Sequence, residues 1–193
     1  MKSQFWTAPN QLTLLRLIFV PFVIINVLDG DFTWALILFV LAGLSDALDG
    51  TLARLLNQKT TLGEYLDPIA DKLLLSSLFL VLSFTAQIPW RYTVLVFSRD
   101  ICILVISAVI YTTTSLRDFR PSVFGKVNTV AQVGTVFFVL LANVTPELWV
   151  VLCRRYFLYA TFVFTLVSGL HYIVLTGQRL HAAGQGRPAA TGR

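Results

Sequence analysis

Read for the spacing of oily and polar positions, the chain falls into six apolar runs, at about residues 12–29, 32–54, 65–86, 92–114, 124–144 and 156–176. A helix of roughly 20 such residues crosses a hydrocarbon core of ~30 Å. The pattern therefore predicts an all-α, polytopic membrane protein with six transmembrane helices. Phe5 and Trp6, ahead of Pro9 and Asn10, suggest a short N-terminal interfacial helix at the headgroups before the first span turns inward. The opening MKSQFWTAPN has no small-residue cleavage site behind it, so the N-terminus is expected to be retained.

The outer connections are short and turn-like: LDGDF at 28–32, the stretch Gln87 to Trp90, and NVTPE at 143–147, which opens the longest of them. Pro21 should kink the first span. Gly43 and Gly50, with Ala42, Ala47 and Ala53, should let neighbours approach the second span closely. Pro121, Ser122 and Gly125 mark a start signal for the fifth. One membrane domain, 1–180, is expected, followed by a disordered tail at 181–193 that has little to bury.

Composition sharpens this picture. Of 193 residues, 56% are hydrophobic and 13% charged, with mean hydropathy +0.74, whereas a soluble domain is about a quarter charged. Cys102 and Cys153 have no C-x-x-C spacing, so they read as small packing groups rather than a disulfide or zinc site. His171 and His181 read as interfacial or solvated.

Cytoplasmic connections hold an excess of Lys and Arg. With the N-terminus inside, eleven of the fifteen Lys and Arg fall on that side: Lys2, Arg16, Arg54, Lys59, Lys72, Arg117, Arg120, Lys126, Arg179, Arg187 and Arg193. Arg91, Arg154 and Arg155 fall outside, and Arg99 lies within the fourth run. The net charge of +5 should face anionic lipid or a phosphorylated substrate. Nucleic acid is not expected as a partner of charges anchored beside spans. The localisation expected is a bacterial inner membrane, with the reactive face toward the cytoplasm.

The stretch Ser45 to Lys72 holds four aspartates, Asp46, Asp49, Asp67 and Asp71. Helical residues three or four apart share a face, so each pair should project together. The link at 55–66 is short enough to make the two helices antiparallel neighbours. A charge at mid-bilayer costs about 2.5 to 3.5 kcal/mol on insertion scales. Packing gives no reason for four such groups, but Mg²⁺ or Mn²⁺ does, and two ions about 3.5 to 4 Å apart could be bridged by them. Such ions keep coordination sites for water and substrate phosphate.

The same segment fits D-x(2)-D-G-x(2)-A-R-x(8)-G-x(3)-D-x(3)-D through Asp46, Asp49, Gly50, Ala53, Arg54, Gly63, Asp67 and Asp71. It resembles the CDP-alcohol phosphatidyltransferases, and the likeness extends through PNQLTLLR and the GKVNTVAQ segment at 125–132. The resemblance implies that Asp46, Asp49, Asp67 and Asp71 hold two Mg²⁺ or Mn²⁺ ions and that Asp71 also accepts a proton. It implies that Gly50, Arg54, Thr60 and Gly63 contact the nucleotide-linked lipid, with Pro9 to Leu12 near a further donor-binding segment. The activity implied is transfer of a phosphatidyl group from CDP-diacylglycerol to an alcohol, releasing CMP, by a bilayer-embedded homodimer.

For the acceptor, Arg99, Arg117, Arg120 and Lys126 could supply cations. Arg99 and Asp100 could equally pair with each other, and Arg117 and Arg120 could simply set topology. Within the family the chain resembles both glycerophosphate phosphatidyltransferases and cardiolipin synthases. Glycerol-3-phosphate is the acceptor expected and phosphatidylglycerol the alternative, toward which Ser107 and Asn128 lean, since glycerophosphate enzymes often carry Arg and Lys there. A cation carrier would want acids through the depth of the bundle. An intramembrane prenyltransferase would split its aspartate clusters between distant helices.

Overall fold

The computed structural model describes the backbone of residues 8–55, 61–113 and 123–185, and the side chains of 14–45, 71–106, 123–175 and 177. Six helices form in order: α1 (Ala8–Leu28), α2 (Phe32–Leu55), α3 (Thr61–Phe84), α4 (Trp90–Thr113), α5 (Val123–Val144) and α6 (Leu148–Gln185). No strand occurs among the described residues. The interfacial helix expected around Phe5 and Trp6 lies outside them. Pro9 instead falls in the first turn of α1, where its missing N–H costs nothing. Pro21 lies within α1, which continues through it from Ala8 to Leu28.

Five helices follow the apolar runs, and α6 departs from them. It begins at Leu148, well before residue 156, and extends to Gln185, past residue 181 where a tail is expected. The hydropathy pattern stops at Arg154 and Arg155 because it counts charge as loop. In the folded chain Arg154 Nη2 donates to the Gln87 carbonyl at 2.7 Å, so α6 carries the charge while closing the α3–α4 turn. Its 38 residues make it the longest helix, ~57 Å at 1.5 Å per residue.

Local chemistry sets the reversals. In the α1–α2 turn Gly30 takes φ +79°, open to a residue without Cβ. Asp31 then caps α2, its Oδ1 accepting from the Trp34 N–H at 3.3 Å. Between α3 and α4, Ser83 and Thr93 share a hydrogen bond of 2.5 Å and the Thr93 hydroxyl donates to the Phe79 carbonyl.

The core is apolar and shared by several helices: Val23 and Val27 of α1, Ala35 and Phe39 of α2, Leu78, Phe79 and Leu82 of α3, and Val136, Val139 and Leu140 of α5. Large apolar side chains also cover the outside, among them Ile18, Phe22, Leu44, Val94, Leu104, Tyr156 and Leu170. Helices apolar all round suit a membrane or the core of a larger assembly. By length and composition, α5 and residues 148–175 of α6 could cross a bilayer, and the stretches 14–28 and 32–45 are apolar but shorter.

α5 and α6 form the most extensive helix contact, running antiparallel from Phe124 beside His171 to Phe138 stacked on Phe157. Close approach occurs at Gly134, where a Cβ would come within 2.3 Å of the Phe157 ring. Gly43, expected to be such a point, has nothing within 4 Å of a built Cβ, while its neighbour Ala42 is fully buried. One step around a helix is ~100°, so the small residue that matters is the one turned inward. Gly134→Ala should force the ring off its stack on Phe138 and destabilise by about 1 to 3 kcal/mol. Thermal unfolding in detergent checks this, with Gly43→Ala as a control expected to leave the transition in place.

Candidate active site

Five residues, 56–60, separate α2 from α3 in the sequence. Asp49 lies six residues before the end of α2 and Asp67 six after the start of α3, ~9 Å of rise each; Asp46 and Asp71 lie nine and ten residues away, ~13 to 15 Å. Helices that reverse across a short link thus bring the two pairs to matched depths. Among the described residues, however, α2 and α3 are not closely packed, and α1 lies against both.

The described part of this site is Asp71. Its carboxylate Oδ1 forms an ion pair with Nη1 of Arg16 from α1, whose side chain is 1% exposed while that of Asp71 is 45% exposed. Arg16, counted in the sequence as a charge on the cytoplasmic side, is in fact buried inside the bundle. Its position within an apolar run was the available signal, since an intramembrane charge marks a partner.

Next to it, Lys72 Nζ lies 3.0 Å from Asp100 Oδ1, which also accepts from Arg99 Nη1 at 2.7 Å. Arg99 Nη2 donates to Ser168 of α6 at 2.7 Å. Arg99 is thus paired with its sequence neighbour Asp100 and also bridges α4 to α6. One turn along α6, Thr165 donates to Oδ1 of Asn128, and a further turn on Thr161 meets Thr135 at 2.8 Å. Asn128, Gln132 and Thr135 of α5 and Thr161, Thr165 and Ser168 of α6 form a buried polar seam. Arg99 Nε, Asn128 Nδ2 and Gln132 Nε2 are buried without a hydrogen-bond partner among the described residues. The spacings of three and four along α5 and α6 are the signal in the sequence that could have found this seam.

The other expected site residues divide by what is described. Asp46, Asp49, Gly50 and Arg54 lie on α2, and Gly63 and Asp67 on α3, by backbone alone. Lys126 is exposed in the first turn of α5. Thr60, Arg117 and Arg120 lie outside the described residues. The donor set fits a hard divalent cation: carboxylates only, with the Asp71 side chain roughly half open. Among the described residues no group of three His, Cys, Asp or Glu gathers, three of the four aspartate side chains being outside them.

Residues 6–168 match the family model described as CDP-alcohol phosphatidyltransferase. The chain is 38% identical to a cardiolipin synthase (CMP-forming) of Rattus norvegicus, over 72% of this chain and 51% of that protein. It is 31% identical to a CDP-diacylglycerol–glycerol-3-phosphate 3-phosphatidyltransferase of Bacillus subtilis, over 85% of this chain and 92% of that protein. It is 32% identical, with the same shares, to the protein of that name in Aquifex aeolicus. The chain spans about half the length of the animal cardiolipin synthases it matches.

Proposed function

The chain belongs to the CDP-alcohol phosphatidyltransferase family, and on that premise we propose that it moves a phosphatidyl group from CDP-diacylglycerol to an alcohol, releasing CMP. What supports this is the family match over residues 6–168 together with two aspartate pairs that stand at like residue counts from the α2–α3 link. Asp46, Asp49, Asp67 and Asp71 would hold two Mg²⁺ or Mn²⁺ ions, whose chemistry is to offset charge on the pyrophosphate. Gly50, Arg54, Thr60 and Gly63 bind the nucleotide end of the donor. Asp71 takes the proton of the acceptor hydroxyl as its oxygen attacks the lipid-side phosphorus, and the bond from that phosphorus to the CMP oxygen breaks.

All six helices span a bacterial inner membrane in this reading, as a homodimer, with the aspartates toward the cytoplasm. Trp34, Trp90 and Trp149 support it, since they are exposed in the first turns of α2, α4 and α6, at the end of the bundle away from the α2–α3 link. Such a ring suits a membrane–water interface.

Glycerol-3-phosphate is the acceptor favoured by the near full-length match to the Bacillus and Aquifex proteins. Phosphatidylglycerol is a second reading favoured by Asn128, neutral, fully buried and hydrogen-bonded to Thr165. Purified protein with Mn²⁺ or Mg²⁺, CDP-diacylglycerol and each acceptor in turn should release CMP with one of them, and the lipid product's mass decides which. No CMP from any acceptor, or turnover of a prenyl diphosphate instead, would defeat the proposal.

A further inference from the structure

Arg16 is the largest fully buried side chain among the described residues, and its guanidinium meets the carboxylate of Asp71 from a helix that carries none of the aspartates. An ion pair with a buried member is on average no more stabilising than apolar side chains of similar volume, because here the Arg16 guanidinium must leave water while Asp71 stays half in it. A leucine-sized residue at position 16 would join α1 to α3 without that desolvation. Stability therefore gives no account of why a charge stands here.

Its placement does. Asp71 is four residues from Asp67 on α3, at the depth where the like charges of the proposed site gather. A guanidinium fixed by burial presents a planar set of donors in one orientation. Half-exposed carboxylates otherwise sample several rotamers, and general-base chemistry suffers from displacements of the order of 1 Å. We propose that Arg16 is a positioning residue of the transferase site: it anchors Oδ1 of Asp71 against α1 and supplies a fixed cation beside that carboxylate. The inference rests on the transferase reading and extends it to α1, which becomes part of the catalytic frame rather than only a membrane anchor.

The test uses the full chain in detergent or nanodiscs, with Arg16→Gln and Arg16→Lys compared at matched folded protein. For Arg16→Gln, kcat for CMP release is expected to fall at least tenfold with KM for CDP-diacylglycerol within about threefold of the parent value. Arg16→Lys, which keeps the charge and loses the fork, is expected to fall between, and it also serves if the Gln variant does not fold. In metal-free protein, unfolding of Arg16→Lys, Asp71→Asn and the double variant should be non-additive, as groups in contact are. A drop in melting temperature with kcat per folded molecule unchanged would make Arg16 structural only and overturn the role, as would strict additivity. A parent protein that releases no CMP with any acceptor removes the transferase reading and this role together, so the two failures are told apart by the parent alone.

Discussion

Asp71→Asn is expected to lower CMP release by about 10³-fold or more while CDP-diacylglycerol still binds. Proton transfer by a positioned side chain contributes roughly 10² to 10⁴ in rate, and an amide, nearly the same shape, cannot take the proton. Donor binding should survive, because Asp46, Asp49 and Asp67 and the positions proposed to contact the nucleotide, Gly50, Arg54, Thr60 and Gly63, are untouched. Single-turnover CMP release measures the first quantity and retention of labelled CDP-diacylglycerol the second. Turnover within tenfold of the parent would remove Asp71 from the role of base, and loss of donor binding would recast it as chiefly a ligand for metal and nucleotide. The same substitution removes the charge that Arg16 meets. A fall in stability should therefore accompany the loss of rate, because the buried Arg16 guanidinium loses its anionic partner, though the half-exposed carboxylate makes that fall smaller than for a fully buried pair. The rate must accordingly be expressed per folded molecule.

Withdrawal of divalent metal should be at least as severe. Aspartates at two depths on two helices make poor neighbours without a cation between them, and a pyrophosphate brings further negative charge. Exhaustive chelation is expected to take CMP release to background, and Mn²⁺ or Mg²⁺ to restore it. Asp46→Asn and Asp49→Asn should each raise the metal concentration needed for half-maximal rate, because each removes a hard oxygen ligand. Full activity in the chelated protein would contradict the metal assignment while leaving the family membership intact.

How far these results could be anticipated differs from residue to residue. The aspartate pairs are spaced three and four apart within one short segment, so their sharing of a helix face follows from local geometry alone. The six helices were equally legible, since an apolar run of twenty residues leaves the backbone no better partner than itself. The α6 boundary was not, because Arg154 is loop-like by hydropathy, whereas in the fold its charge lies on a helix and is met by the Gln87 carbonyl. Gly43 and Gly134 look alike in sequence. Their difference lies in which way each is turned, and only the packed α5–α6 contact supplies that.

Arg16 and Asp71 are 55 positions apart, and no periodicity connects them. The sequence by itself determined the local matters: where helices form, that they are oily on most sides, and that carboxylates come in pairs. Those depend on bonds within a few residues and on transfer of side chains out of water. Tertiary structure alone decided which charge meets which, that α1 packs against both α2 and α3, and where one helix may touch another. Such choices depend on the rotation and depth of each helix against its neighbours, which the whole bundle fixes at once.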